Sequence, residues 1–184
     1  MVSFSIRTGE IMKIKIILLS IILVLLPTSI FAQKQDASAV VQSFYKFHLS
    51  RSGIFNASEV NARKKWFTDD LNKLFQTELQ REKEYLKANP TDKPHFGDGF
   101  PFQPFDECES AGKLIKNTYQ VGAATVKGEK ATVEVKFYQP KECGGDLIDT
   151  YKVELVKSNG KWLINDWLYS DAKTLTEDLK RTNY

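Results

Sequence analysis

Residues 147–170 read LIDTYKVELVKSNGKWLINDWLYS, and their period decides the fold. Tyr151, Val153 and Leu155 alternate with polar residues, and Trp162, Ile164, Asp166 and Leu168 alternate after them, the two-residue period of a strand with one buried face. Asn159-Gly160 sits between the two runs, and Asn-Gly is a strong signal for a tight β-hairpin because both residues tolerate positive φ. The spacing therefore predicts two antiparallel strands joined at residues 159–160.

Moving back along the chain, the same period recurs. In KATVEVKFYQ, residues 130–139, Ala131, Val133, Val135 and Phe137 share one side, and Thr132, Glu134, Lys136 and Tyr138 share the other. NTYQVGAATVKG, residues 117–128, precedes it across a Gly128-Glu129 turn, and QPKECGGD forms a longer connection to the hairpin. Four strands in this order make an antiparallel meander with one apolar face to bury.

The cover lies further upstream. In ASAVVQSFYKFHLSRSG, residues 37–53, Val40, Val41, Phe44, Phe47 and His48 form a stripe at helical spacing, flanked by Tyr45 and ended by Gly53. SEVNARKKWFTDDLNKLFQTELQREKEYLKANP, residues 58–90, predicts a short helix capped by Ser58. A longer one follows, capped by Thr68, with Asp69 and Asp70 where the helix dipole favours acid. Leu71, Leu74, Phe75 and Leu79 form its buried face, QREKEYLK reads as mostly a solvated face, and Asn89-Pro90 stops it. The tail TLTEDLKRTNY is a weak helix or a frayed end. Helices first and strands second give an α+β domain, N-terminal helices packed on a curved four-stranded sheet.

The front of the chain sets the compartment. MKIKIILLSIILVLLPTSIFA, residues 12–32, has Lys13 and Lys15, an uncharged apolar run, a Pro-Thr-Ser break and Ala32 at the cleavage position. That is the layout of a secretory signal peptide starting at Met12, shorter in its apolar run than the ~20 residues of a spanning helix. The expected organisation is a signal peptide over residues 1–32 and one α+β domain over residues 33–184, periplasmic or secreted, with no stable membrane insertion after cleavage. The whole chain carries 26 Lys and Arg against 23 Asp and Glu, and setting aside Arg7, Lys13, Lys15 and Glu10 of the leader brings it to one charge from neutral. Such a balance gives no reason to expect a nucleic-acid partner.

Cys108 and Cys143 are the chain's 2 cysteines, and an even count in an exported chain favours a disulfide. It would close a loop of about 35 residues, worth on the order of 3.5–4 kcal/mol in the chain-entropy account. The rival is a thiolate nucleophile at Cys143 with His48 or His95 as base, which an oxidising compartment disfavours.

Between helices and strands lies HFGDGFPFQPFDECES, residues 95–110, with no helix or strand period. Phe96, Phe100, Phe102 and Phe105 are too apolar for solvent, since burying each is worth about 1.5–3 kcal/mol. Pro101 and Pro104 stiffen the backbone. The expectation is a lid over the open end of the helix–sheet sandwich, with a ligand mouth or a partner-binding surface as its functional version.

Several blocks carry a family resemblance: VVQSFYKFHL, WFTDDLNKLF, KATVEVKFY, and YKVELVKSNGKWLINDWLY with its Trp-x-Ile-x-Asp ending. Over residues 38–170 the chain resembles the secreted bacterial family called domain of unknown function 3828, and its ending resembles the wider nuclear-transport-factor-two-like, or cystatin-like, group. The resemblance implies a cone with a sheet wrapped around a long helix and a pocket at the open end. It implies no activity, because that fold hosts enzymes and binding proteins alike.

Three functions follow as expectations. The first is a non-catalytic binding or interaction module for a small ligand or protein, using Phe96, Phe100, Phe102, Phe105, Trp162 and Asp166 around the open end. The second is a small hydrolase or isomerase-like enzyme in which Asp166, aimed at the concave side, works with Tyr45 or His48; the plainer role for Asp166 is to bond a helix backbone amide and hold sheet to helix. The third is an inhibitor protecting against an extracytoplasmic hydrolase. Cofactors are not expected. His48 and His95 lack zinc-ligand spacing, and Asp98, Asp106, Glu107 and Glu109 lack the alternation of a calcium loop, so no metal site is expected.

Overall fold

The structure is a computed structural model and describes residues 36–104 and 108–181. The leader with its Met12 start and Ala32 cleavage position, and Phe105, Asp106 and Glu107, lie outside the described residues.

Helix α1, Ala37–Leu49, begins where the Asp36 carboxylate accepts the backbone N–H of Ser38, and it buries Val40, Val41, Phe44, Tyr45 and His48 on one side. Helix α2, Ala57–Arg63, is capped by Asn56, whose side chain accepts from Glu59 N, rather than by Ser58. One residue matters here, because Asn56 has the extended backbone a cap needs. A 3-10 turn, Lys64–Trp66, leads into helix α3, Asp69–Ala88, capped by Thr68 as expected. Leu71 and Phe75 are fully inside, whereas Leu74 and Leu79 are half-covered.

Strands β1, Cys108–Ser110, and β2, Lys113–Ile115, form a small hairpin whose first strand ends the stretch 95–110 that shows no period in the sequence. Its turn, Ala111-Gly112, has φ of 52° and 73°, the conformation that closes two-residue hairpins. Then come β3, Thr118–Lys127, β4, Lys130–Tyr138, β5, Leu147–Ser158, and β6, Lys161–Leu168, antiparallel in sheet order β3-β4-β5-β6. Asn159 and Gly160 take φ of 49° and 78°, so the hairpin read from residues 147–170 closes as its sequence predicts. Helix α1 lies across β3, β4 and β6. Helix α4, Leu175–Lys180, closes the chain with a capping box between Thr174 and Glu177 and buries Leu175 and Leu179. Of the two readings of the tail, a helix is the one formed over Leu175–Lys180.

Period-two counting fails at one place. Leu155 pairs with Ile164 but Glu154 pairs with Asp166, so Asn165 is the extra residue of a β-bulge. Beyond it the phase reverses: Trp167, opposite Val153, enters the core at 0% exposure, and Asp166 joins the Glu154 face. The sequence does hold a signal for this. Trp162 and Trp167 are an odd number of positions apart, so both reach one face only if the strand bulges.

Candidate functional site

The core against which every candidate must be placed is aromatic. Phe44 on α1 meets Tyr45, His48, Trp66, Phe67, Phe102 and Trp167, with centroid separations from 5.2 to 6.0 Å. Phe102 comes from the stretch 95–110, is 0% exposed, and lies 4.6 Å from Trp167 and 5.1 Å from Phe100. Phe96 and Phe100 are also buried, packed on Phe55. These three phenylalanines are interior residues supplied by a loop; none is presented to solvent.

Tyr45 is fully buried, with its hydroxyl donating to the Phe102 carbonyl at 2.8 Å and accepting from Trp167 Nε1 at 3.0 Å. Burial pushes its pKa far up, and the hydroxyl ties helix, loop and sheet together. Asp166 does not aim at the concave side. Its Oδ1 accepts the backbone N–H of Trp167 and that of Thr176 in α4, both at 2.9 Å, because the Asn165 bulge turns it to the opposite face. The plainer role holds: it bonds a helix amide and fastens α4 to the sheet. Trp162 lines a different hollow, with Val40, Ser43 and Trp66.

His48 is where sequence and cavity meet. It is 2% exposed, yet it lines a cavity of about 310 Å³ with Leu49, Arg51 and Gly53 from the end of α1, Gln103 and Pro104 from the loop, and residues 114–117. The volume is at the lower end of the ~300–1,000 Å³ usual for small-molecule sites. Behind His48 stands Arg63, at 0% exposure. Arg63 Nε and Nη2 approach His48 Nδ1 at 3.1 and 3.0 Å, Nη1 donates to Glu59 Oε2 at 2.7 Å, and Nη2 donates to the Ser52 carbonyl at 3.0 Å. A guanidinium only donates, so Nδ1 is the acceptor and the proton of the neutral imidazole sits on Nε2. Burial, then the Arg63 charge, holds the His48 pKa down to about 3. Arg51 completes the cluster with two bonds to Glu59, 2.8 and 3.1 Å. Those bonds, followed by Arg63's, keep Glu59 below the usual carboxylate range.

One wall of the cavity is the β1–β2 hairpin. Among residues 108–115 only Cys108 is buried, so the hairpin has no apolar side chain of its own to anchor it. Its anchor is the disulfide from Cys108 to Cys143, with Cα atoms 6.2 Å apart, a normal separation for the bond. The expected pairing is therefore formed, and it fixes a wall of the cavity. Lys116, just past the hairpin, donates to the Leu49 carbonyl at 3.2 Å and pins the wall to α1.

A second ionic cluster escaped sequence reading. Glu78, at 0% exposure, and Glu82, at 7%, continue the Leu71–Phe75 stripe at helical spacing, where apolar residues are expected. His95 bridges Glu78 Oε1 at 2.9 Å and Asp178 Oδ2 at 3.1 Å, and Glu82 accepts the Phe96 N–H at 2.6 Å. QREKEYLK is thus not wholly solvated; the sequence signal is a pair of acids placed on an apolar stripe. Among the described residues no group of three or more His, Cys, Asp or Glu side chains could hold a metal, and no helix is long and apolar enough to cross a membrane.

The structure thus distributes the sequence candidates: His48 alone of Asp166, Tyr45 and His48 lines the cavity, and Phe105 lies outside the described residues. Set against protein-family models, characterised proteins and solved structures, the chain matches none.

Proposed function

We propose that this chain is an exported, non-catalytic binding protein whose ligand occupies the cavity between the end of α1, the Gln103-Pro104 loop and the β1–β2 hairpin. One observation carries the reading. The titratable side chain that the core offers to this cavity, His48, is committed to Arg63 and held neutral well below the pH range of a general base. The arrangement suits recognition: a mixed lining of apolar side chains and a few fixed polar groups, walled by a disulfide-anchored hairpin. A periplasmic or secreted location belongs to the same proposal, supported by the leader of residues 12–32 and the formed disulfide. So does kinship with the domain of unknown function 3828 family.

A plugged cavity tests it. Gly53 is part of the lining, and a Cβ added there meets nothing within 4 Å, so Gly53→Phe adds a ring at the lining without a clash or backbone strain. Wild type and Gly53→Phe would be purified from the cell envelope without denaturation and their bound species read by mass spectrometry. A molecule retained by wild type and lost from a folded Gly53→Phe supports the proposal. The same molecule on both, or none on either, sinks it.

A further inference from the structure

Resting on that reading of the cavity, we infer that its ligand is a small organic anion, a carboxylate carried on an apolar body. The polar end is defined by charge. Arg51 and Lys116 line the cavity, and Arg63 stands directly behind His48. Among the described residues in this cluster the one carboxylate is Glu59, which both arginines share. Among the described residues, three cations against one carboxylate leave an excess of two positive charges beside a recess partly shielded from water, where the attraction for an anion is stronger than on an open surface. Lys116 donates to a backbone carbonyl, a neutral acceptor that does not cancel its charge. No acidic residue is among the described residues that line the cavity.

The apolar end is defined by the rest of the lining. Leu49, Pro104, Leu114 and Ile115 form its walls. Leu114 is 66% exposed, so the wall it forms reaches the surface, where a ligand body leaving the recess would meet it. At about 310 Å³ the space holds on the order of ten water volumes, enough for a short acyl chain or a single aryl ring and too little for a folded partner. A purely inorganic anion would leave the leucine and proline walls unused, and a neutral apolar molecule would leave the excess positive charge unbalanced.

The probes are octanoate and 3-phenylpropionate, each against its neutral amide of the same shape. Binding is followed by two-dimensional NMR on the disulfide-bonded protein, through the backbone amides of Gly53, Leu114, Ile115 and Asn117. Both acids should move those signals and bind at least tenfold more tightly than octanamide and 3-phenylpropanamide, with the preference shrinking as salt rises. Lys116→Met, at an exposed side chain, should erase most of that preference, read as the ratio of acid to amide affinity within the same variant. Arg51→Gln gives a second reading should one variant fold poorly. Amides that bind as well as the acids, at the same signals, overturn the anionic class and leave the cavity as the binding site. Acids that move none of these signals also overturn it; the cavity reading then stands or falls on what Gly53→Phe strips from the purified protein.

Discussion

The chain's two histidines sit in opposite fields, and each takes the charge its surroundings lack. His48 is buried beside Arg63, with Arg51 and Lys116 close by and, among the described residues, Glu59 as the one nearby carboxylate. A fourth positive charge would be uncompensated, and burial first, then Arg63, keeps the ring neutral down to about pH 3. His95 sits among Glu78, Glu82 and Asp178, with Arg81 bonded to Glu78 at 2.5 Å and Arg181 to Asp178 at 3.4 Å. Three carboxylates against two guanidinia leave one negative charge over, and the imidazolium of His95 cancels it. The hydrogen bond to Glu78 is the main cause of its raised pKa. Both ring nitrogens face carboxylate oxygens, which only accept, so both must carry protons. The same side chain is thus an acceptor in one cluster and a double donor in the other.

The largest effect comes from breaking the first cluster. Arg63→Met leaves the Ser52 carbonyl and His48 Nδ1 without their donor, and Glu59 with Arg51 alone. Removing one partner from a buried charged network costs about 3–5 kcal/mol, to be read as a lowered urea midpoint at pH 7. The comparison sharpens if the His48 pKa, followed by NMR in the folded variant, climbs from about 3. A value that stays put would mean that burial alone sets the state of His48 and that Arg63 contributes only structure.

The next effect separates the two histidines by pH. An unfolded histidine titrates near ~6.5, whereas folded His48 resists protonation to about 3. Stability from His48 is therefore complete above the unfolded value and falls as pH drops, by up to about 1.4 kcal/mol per pH unit while only the unfolded chain takes the proton. His95, with a raised folded pKa, is protonated in both states there and adds no slope. Between pH ~6.5 and ~4.5, above most carboxylate titrations, the acid limb of the stability curve should belong to His48. His48→Gln should flatten it, and a limb that persists in this variant would refute the assignment.

How much of this was legible follows from which signals are local. The hairpin at Asn159-Gly160, the Thr68 cap and the buried faces of β4 and β5 depend on neighbours within a turn or one strand, and the sequence displays them. The disulfide was legible because a chain with two cysteines has one intramolecular pairing to make, and the export expected from its leader favours making it. The Asn165 bulge left only one local sign, the odd spacing of Trp162 and Trp167; a single inserted residue reverses a strand's phase, and the partner that Trp167 reaches there, Tyr45, is many positions away in sequence. Asp166 was misplaced for that reason alone. The charge clusters were hidden more deeply. Glu59 and Arg63 sit one helical turn apart, a pattern that on most helices is a solvated pair. The Phe100 ring, 4.4 Å from the Arg63 guanidinium, and His48 on α1 are among the groups that cover the pair, and neither is near it in sequence.

The smallest effect tests the second cluster, and its sign is opposite to that of the first. The His95 imidazolium stabilises the fold fully below the unfolded value near ~6.5, and that contribution is lost as pH rises through its raised folded pKa. His95→Gln keeps one donor and removes the charge, so it should cost about 1–2 kcal/mol at pH 6, less than two charge-assisted hydrogen bonds because the ring is still partly solvated. The deficit should shrink toward pH 9 as wild type loses the same proton. Its local signature is faster hydrogen exchange at Leu179 in α4, which is linked through Asp178 to His95 and through its own carbonyl to Arg81. A deficit of equal size at pH 6 and pH 9 would show that His95 acts only by stacking on Phe96, 4.2 Å away. In that case the carboxylate cluster selects no charge state, and the symmetry between the two histidines is an accident of packing.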